Sequence, residues 1–118
     1  MGRHRYEDLE VWKLALDLSI QVSFETRNYP NVEKYALVPQ TNRSAYSIPS
    51  NIAEGAGRGG NKEFVNFLHY ALGSLNELET QILIAFKLDY LQEERYLYFI
   101  DKYGVLKKMI INLTKALV

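Results

Sequence analysis

The chain has 118 residues, of which 47% are hydrophobic, with no cysteine and with 14 basic against 14 acidic side chains. A chain of that length fits one domain that buries about two-thirds of the surface its unfolded form exposes, and the lack of cysteine excludes disulfides and thiolate metal sites. The balanced charge, with a pI near 6.7, argues against a strongly basic nucleic-acid binder.

The stretch from Met1 to Glu10 is polar and charged, unlike a secretory signal. No apolar run approaches the ~18 residues of a membrane span. The expected address is therefore the cytoplasm. The first helix is predicted from Tyr6 to Arg27. Leu9, Trp12, Leu16 and Ile20 mark one apolar stripe on it, and Val11, Leu14, Leu18 and Val22 mark a second. A bundle core needs one stripe, so two imply a helix covered on two sides.

Asn28-Tyr29-Pro30-Asn31 breaks the pattern. Glu33 to Val38 can supply a turn or two, and Pro39 can then open the second helix as its first residue. That helix runs from Gln40 to Ala56 with Ala45, Ile48, Ile52 and Ala56 on one face. Pro49 inside it removes one backbone hydrogen bond and predicts a kink. Gly55-Ala-Gly57-Arg-Gly59-Gly60 ends it.

Asn61 is the expected N-cap of the third helix. Phe64, Leu68, Ala71, Leu75, Leu78, Ile82 and Ala85 then follow the alternating four-and-three spacing of bundle helices. After a turn at Leu88-Asp89-Tyr90-Leu91, the fourth helix carries Tyr96, Phe99, Tyr103, Leu106, Ile110, Leu113 and Leu117 on one face. No segment alternates as a strand does. The predicted fold is all-α, one antiparallel up-down-up-down four-helix bundle over residues 1–118.

Chemistry is sparse in this sequence. Di-iron bundles use Glu-x-x-His pairs, and no glutamate here is followed three residues later by histidine. The glycine-rich turn lacks the strand and the Gly-Lys-Ser/Thr of a nucleotide loop. Arg58 and Lys62 beside it can meet an anion at the start of the third helix. An enzymatic reading would have to rest on Glu54, Glu77 and His69, which form no recognised catalytic pattern. No catalytic residue, metal or cofactor is expected. More distinctive is the polar series Arg43, Ser47, Asn51, Glu54 and Arg58, spaced three to four residues apart along the second helix. Asn66, Tyr70, Gly73, Ser74 and Glu77 form its counterpart on the third. Gly73 in mid-helix costs about 1 kcal/mol relative to alanine, which points to a close approach by another backbone. Nine tyrosines and five phenylalanines add the side chains that protein interfaces favour.

The run from Gln40 to Arg58, with Ser47-Ile-Pro49-Ser-Asn51-Ile-Ala-Glu54-Gly55 at its centre, resembles the signature of bacterial four-helix-bundle proteins encoded in 23S rRNA intervening sequences. The likeness begins at Leu9-Glu-Val-Trp12-Lys-Leu-Ala15 and continues through Ala71-Leu-Gly73-Ser74-Leu75 and Glu77-Leu-Glu79-Thr80. The resemblance implies a four-helix bundle that assembles as a cyclic homopentamer without catalysis. Arg43, Asn51, Glu54, Gly55, Arg58, Gly73, Ser74 and Glu77 occupy its motif positions. A similar accessory protein of diversity-generating retroelements, thought to bind nucleic acid and a reverse transcriptase through a basic barrel, implies RNA or an RNA–protein complex as a partner class. The cations available for that are Arg3, Arg5, Arg58, Lys62, Lys107, Lys108 and Lys115, and a ring would multiply any patch they form. The alternative is a protein–protein scaffold without a nucleic-acid role. Arg43, Glu54 and Arg58 are expected to form a charged network in or beside the subunit contact.

Overall fold

The computed structural model describes residues 5–118. Four long helices carry the chain: α1 (Glu10–Thr26), α2 (Leu37–Ala56), α3 (Asn61–Lys87) and α4 (Glu93–Leu117). Short 3-10 turns at Tyr6–Asp8 and Asn31–Glu33 precede the first two. No strand occurs among the described residues.

The four helices close on one core. Ala15, Leu18 and Val22 of α1 meet Ala45, Ile48 and Ile52 of α2 there, and all seven residues of the α3 pattern are buried with them. Phe99, Tyr103, Leu106 and Ile110 complete the core from α4, while Tyr96, Leu113 and Leu117 at its ends are only partly covered. Cross-helix contacts run in opposite directions along neighbours. Ser23 meets Tyr46 and Thr26 meets Asn42 between α1 and α2. Gly55 abuts Phe67 at one end of the α2–α3 seam, and Ser47 meets Ser74 further along it. Asn76 bonds Tyr103 and Phe86 stacks on Tyr96 between α3 and α4. Each successive pair descends on one helix as it ascends on the other, which is the register of antiparallel neighbours.

Helix ends depart from the sequence reading where backbone chemistry decides them. The first helix begins at Glu10 rather than Tyr6, because Leu9 is extended (φ −81°, ψ 124°). Pro39 is the third residue of α2, not the first. A proline costs no bond there, since the first four amides of a helix have no partner inside it. The Leu37 amide instead donates to Glu33 Oε1 at 3.3 Å. Asn61 lies inside α3, with Gly60 at the cap and no side chain capping it. Its Oδ1 is buried without a hydrogen-bond partner.

The α2–α3 connection turns through Gly59 at φ 92°, a left-handed conformation that glycine adopts without strain. α3 ends differently. The Tyr90 amide reaches the Ala85 carbonyl and the Asp89 amide reaches Phe86, a Schellman arrangement with Asp89 at φ 62°. A short polar side chain suits that position.

Candidate functional site

Of the α2 polar series, Arg43, Glu54 and Arg58 are exposed and Ser47 and Asn51 half-buried, while Ser44 of the same helix is buried. Their hydroxyls and amides first serve their own helix. Ser44 Oγ donates to the Gln40 carbonyl, Ser50 Oγ to Tyr46 and Asn51 Nδ2 to Ser47, at 2.8–3.1 Å. The last two matter near Pro49, whose missing amide leaves the Ala45 carbonyl without its usual donor. Pro49 itself is buried within α2. Ser47 also bonds Ser74 across the helices, a direct polar link between the two series.

Beside this link runs a groove lined by Gln40, Arg43, Ser44, Ser47, Glu77 and Gln81. Arg43 and Glu77 are exposed, and no ion pair involves either of them among the described residues. The Gln81 Oε1 is buried and has no hydrogen-bond partner. Gly73 lies on the same side of α3. A Cβ placed on it would meet nothing within 4 Å, so the close backbone approach expected from sequence does not come from the described residues. Gly55 is the reverse case. A Cβ there would sit 2.6 Å from Phe67 Cβ and 3.0 Å from Phe64 Cδ1.

The expected network of Arg43, Glu54 and Arg58 divides. Arg58 Nε lies 3.2 Å from Glu54 and 3.8 Å from Glu63, with its guanidinium over the Phe67 ring at 5.0 Å. Arg43 stands outside that group, because it projects into the groove rather than toward the glycine turn. Arg58 thus meets two carboxylates and an aromatic face, which leaves it little capacity for an anion. Lys62 is exposed nearby.

The remaining cations are dispersed. Arg5 pairs with Asp8 at 3.2 Å, Lys107 sits over the Tyr103 ring, and Lys108 and Lys115 are exposed on α4. Arg3 lies outside the described residues. Glu54, Glu77 and His69 are not joined by any hydrogen bond or ion pair. Glu54 holds Arg58, Glu77 lines the groove, and His69 is exposed. No cluster of three or more His, Asp or Glu suited to a metal occurs among the described residues, and no helix there is long and apolar enough to cross a membrane.

One polar centre escaped the sequence reading. Arg95 Nε donates to Glu25 Oε1 at 2.9 Å, and its Nη2 reaches Gln21 at 3.4 Å. The guanidinium also lies over Tyr98 and Phe99. Glu25 is buried, and Tyr29 near it has a buried hydroxyl with no partner. That burial, aided by the Glu25 charge, pushes the Tyr29 phenol well above its ordinary range. At the same end Tyr90 donates to Glu33 Oε2 at 2.7 Å, so one carboxylate both starts α2 and ties it to the α3–α4 turn. A signal was present in the chain: Glu25 continues the buried series Val11, Ala15, Leu18, Val22 at helical spacing, and a carboxylate in that place calls for a cation.

Comparison with known proteins agrees with this architecture. The family described as 23S rRNA-intervening sequence protein matches residues 7–112. A crystal structure of a protein with unknown function from the S23 ribosomal protein family of Bacteroides thetaiotaomicron is similar in fold, with a TM-score of 0.82. It is 24% identical and covers 89% of this chain and 98% of that one. No curated protein sequence matches the chain.

Proposed function

The chain belongs to the 23S rRNA-intervening sequence protein family, and from that premise we propose that it is a non-enzymatic module that works by assembling with copies of itself. The observation that carries this reading is the outward apolar row of α1. Leu16, Ile20 and Phe24 succeed one another at helical spacing on the side away from the core, and Tyr46 of α2 is fastened beside them by its bond to Ser23 at 2.6 Å. All four are between 37% and 51% exposed. Scattered apolar residues on a surface need no explanation, but a contiguous row does. Both stripes of the first helix are expected from sequence to be covered, but only Val11, Leu18 and Val22 of the second are buried, while Leu16 and Ile20 of the first are left bare within a single chain.

A second apolar surface on α4 offers the complement that a ring requires. Leu97 and Val105 are exposed on it, and Gly104 between them has open space above it. Two different patches meeting head to tail give a ring when the rotation between copies closes, and the resemblance implies five copies. Burying such surfaces contributes about 25 cal/mol per Å2 before the costs of association.

Charge favours protein over RNA as the partner. Phosphate contacts draw their strength from several clustered cations. Here Arg5 and Arg58 are paired with carboxylates, and the lysines are dispersed. Light scattering of the purified protein at low and high salt, with and without a short structured RNA, tests the proposal. A discrete multimer that ignores RNA, and that Ile20→Asp dissociates, is the expected result. A monomeric wild type overturns assembly, and RNA mass gained only at low salt puts the nucleic-acid reading in its place.

A further inference from the structure

The outer α2–α3 groove and the α3 face beside it have three features that the described residues leave unanswered. Arg43 and Glu77 carry opposite charges into one groove without forming an ion pair. The Gln81 Oε1 is shielded from water and accepts no hydrogen bond, a costly state for a polar atom. Gly73, exposed in the middle of α3, gives up helix stability while no atom of the described residues uses the room it leaves. An ordinary solvated helix face has no call for such a glycine, nor for an orphaned inward acceptor.

We propose that this groove is occupied by a second copy of the chain, with Arg43 of one copy paired to Glu77 of the next. The inference rests on the self-assembly reading above and assigns the polar half of the contact. Charge decides the occupant. A polyanion drawn by Arg43 is repelled by Glu77, whereas a copy of the same chain presents both signs and can match both. The groove also adjoins the apolar surface, since Pro39, Arg43, Tyr46 and Ser47 line one continuous recess on α2. The apolar row supplies area, and the crossed charges fix which copy meets which side and in what register. Opposite charges confined to one exposed chain would contribute little. Between copies, with water excluded, a like-charge pairing is strongly disfavoured.

Separately purified Arg43→Glu and Glu77→Arg variants test this by light scattering, alone and mixed in equal amounts. Each substitution alone places like charges together at every contact and is expected to weaken assembly about tenfold or more. The mixture restores opposite charges wherever unlike copies meet and should regain assembly in part, since two variants cannot alternate fully around a ring of odd number, whereas the chain carrying both changes should regain the multimer in full. Circular dichroism confirms that each variant keeps its helices. If either one unfolds, Arg43→Gln and Glu77→Gln replace the pair, with weakened assembly expected and wild-type assembly overturning the proposal. Variants that keep wild-type mass sink it. Rescue by the double substitution with no gain at all on mixing also sinks it, because the pairing is then within one chain. A wild type that is monomeric fails the assembly reading itself, which is a distinct outcome.

Discussion

α2 and α3 meet along two lines that differ in kind. On the inner line Ile48 and Ile52 pack toward Phe64 and Leu68, and Gly55 lets the two backbones close until Phe67 stands where a side chain would go. On the outer line Ser47 touches Ser74, but Arg43, Glu77 and Gln81 find no partners and Gly73 faces open space. The inner glycine is explained by this chain alone and the outer one is not. The same residue type in one helix pair thus reports two constraints, one set by folding and one by something outside the fold.

Substituting the two glycines breaks or sharpens that contrast. Gly55→Ala should destabilise the monomer by about 1–3 kcal/mol, because the added methyl group meets the rigid base of Phe67 and the helices must separate. Thermal unfolding reads this directly, and an unchanged midpoint would remove the inner half of the comparison. Gly73→Ala should do the opposite and stabilise the helix by about 0.5–1 kcal/mol, with no clash to offset the gain. If the groove is occupied by a second copy, the same variant should also assemble less well, so that folding and assembly move in opposite directions. Parallel changes in both would undo the distinction.

The smallest effect concerns another unpaired polar atom, this time in the interior. Tyr29 has its phenol raised from an ordinary value near 10, by burial first and by Glu25 second. A folded-state value above the unfolded one contributes stability that is complete below pH 10 and is lost as pH rises through the folded value. Tyr29→Phe should therefore leave stability at neutral pH within about 1 kcal/mol of wild type, since the hydroxyl makes no bond. It should also flatten the alkaline decline seen by chemical denaturation. Tyr90, raised chiefly by its bond to Glu33, and Tyr103, raised chiefly by burial, keep part of that decline in place. An alkaline limb as steep as wild type would show that Tyr29 ionises freely.

Periodicity made most of the fold legible. The α3 series from Phe64 to Ala85 is buried throughout as spacing required, and the glycine turn falls where proline and glycine chemistry put it. What spacing cannot give is pairing between helices. It put Arg43 in line with Glu54 and Arg58, yet a few tens of degrees around α2 send Arg43 into the groove while Arg58 turns back to Glu54 and Glu63. The Glu25–Arg95 bond joins residues seventy positions apart, a relation that only the closed bundle creates. Helix starts were misplaced by one local rule. A cap is chosen by backbone geometry, so Gly60 displaced Asn61, and the Glu33 carboxylate rather than Pro39 set the start of α2.

The side-chain bonds along α2 also bear on the order in which the molecule forms. Ser44, Ser47, Ser50 and Asn51 bond their own backbone, Thr41 and Asn42 are poor helix formers of the same kind, and Pro49 and Gly55 weaken the helix further. A segment of that composition has almost no helix–coil preference of its own, whereas α3, rich in leucine and glutamate and free of proline, has a substantial one. The helicity of α2 is then a product of docking on α3 rather than a precondition for it. A peptide spanning residues 37–56 is expected to be coil in water by circular dichroism, while one spanning 61–87 retains partial helix. A helical 37–56 peptide would reverse that order. The region with the densest motif is thus the one whose shape is written largely in its neighbour.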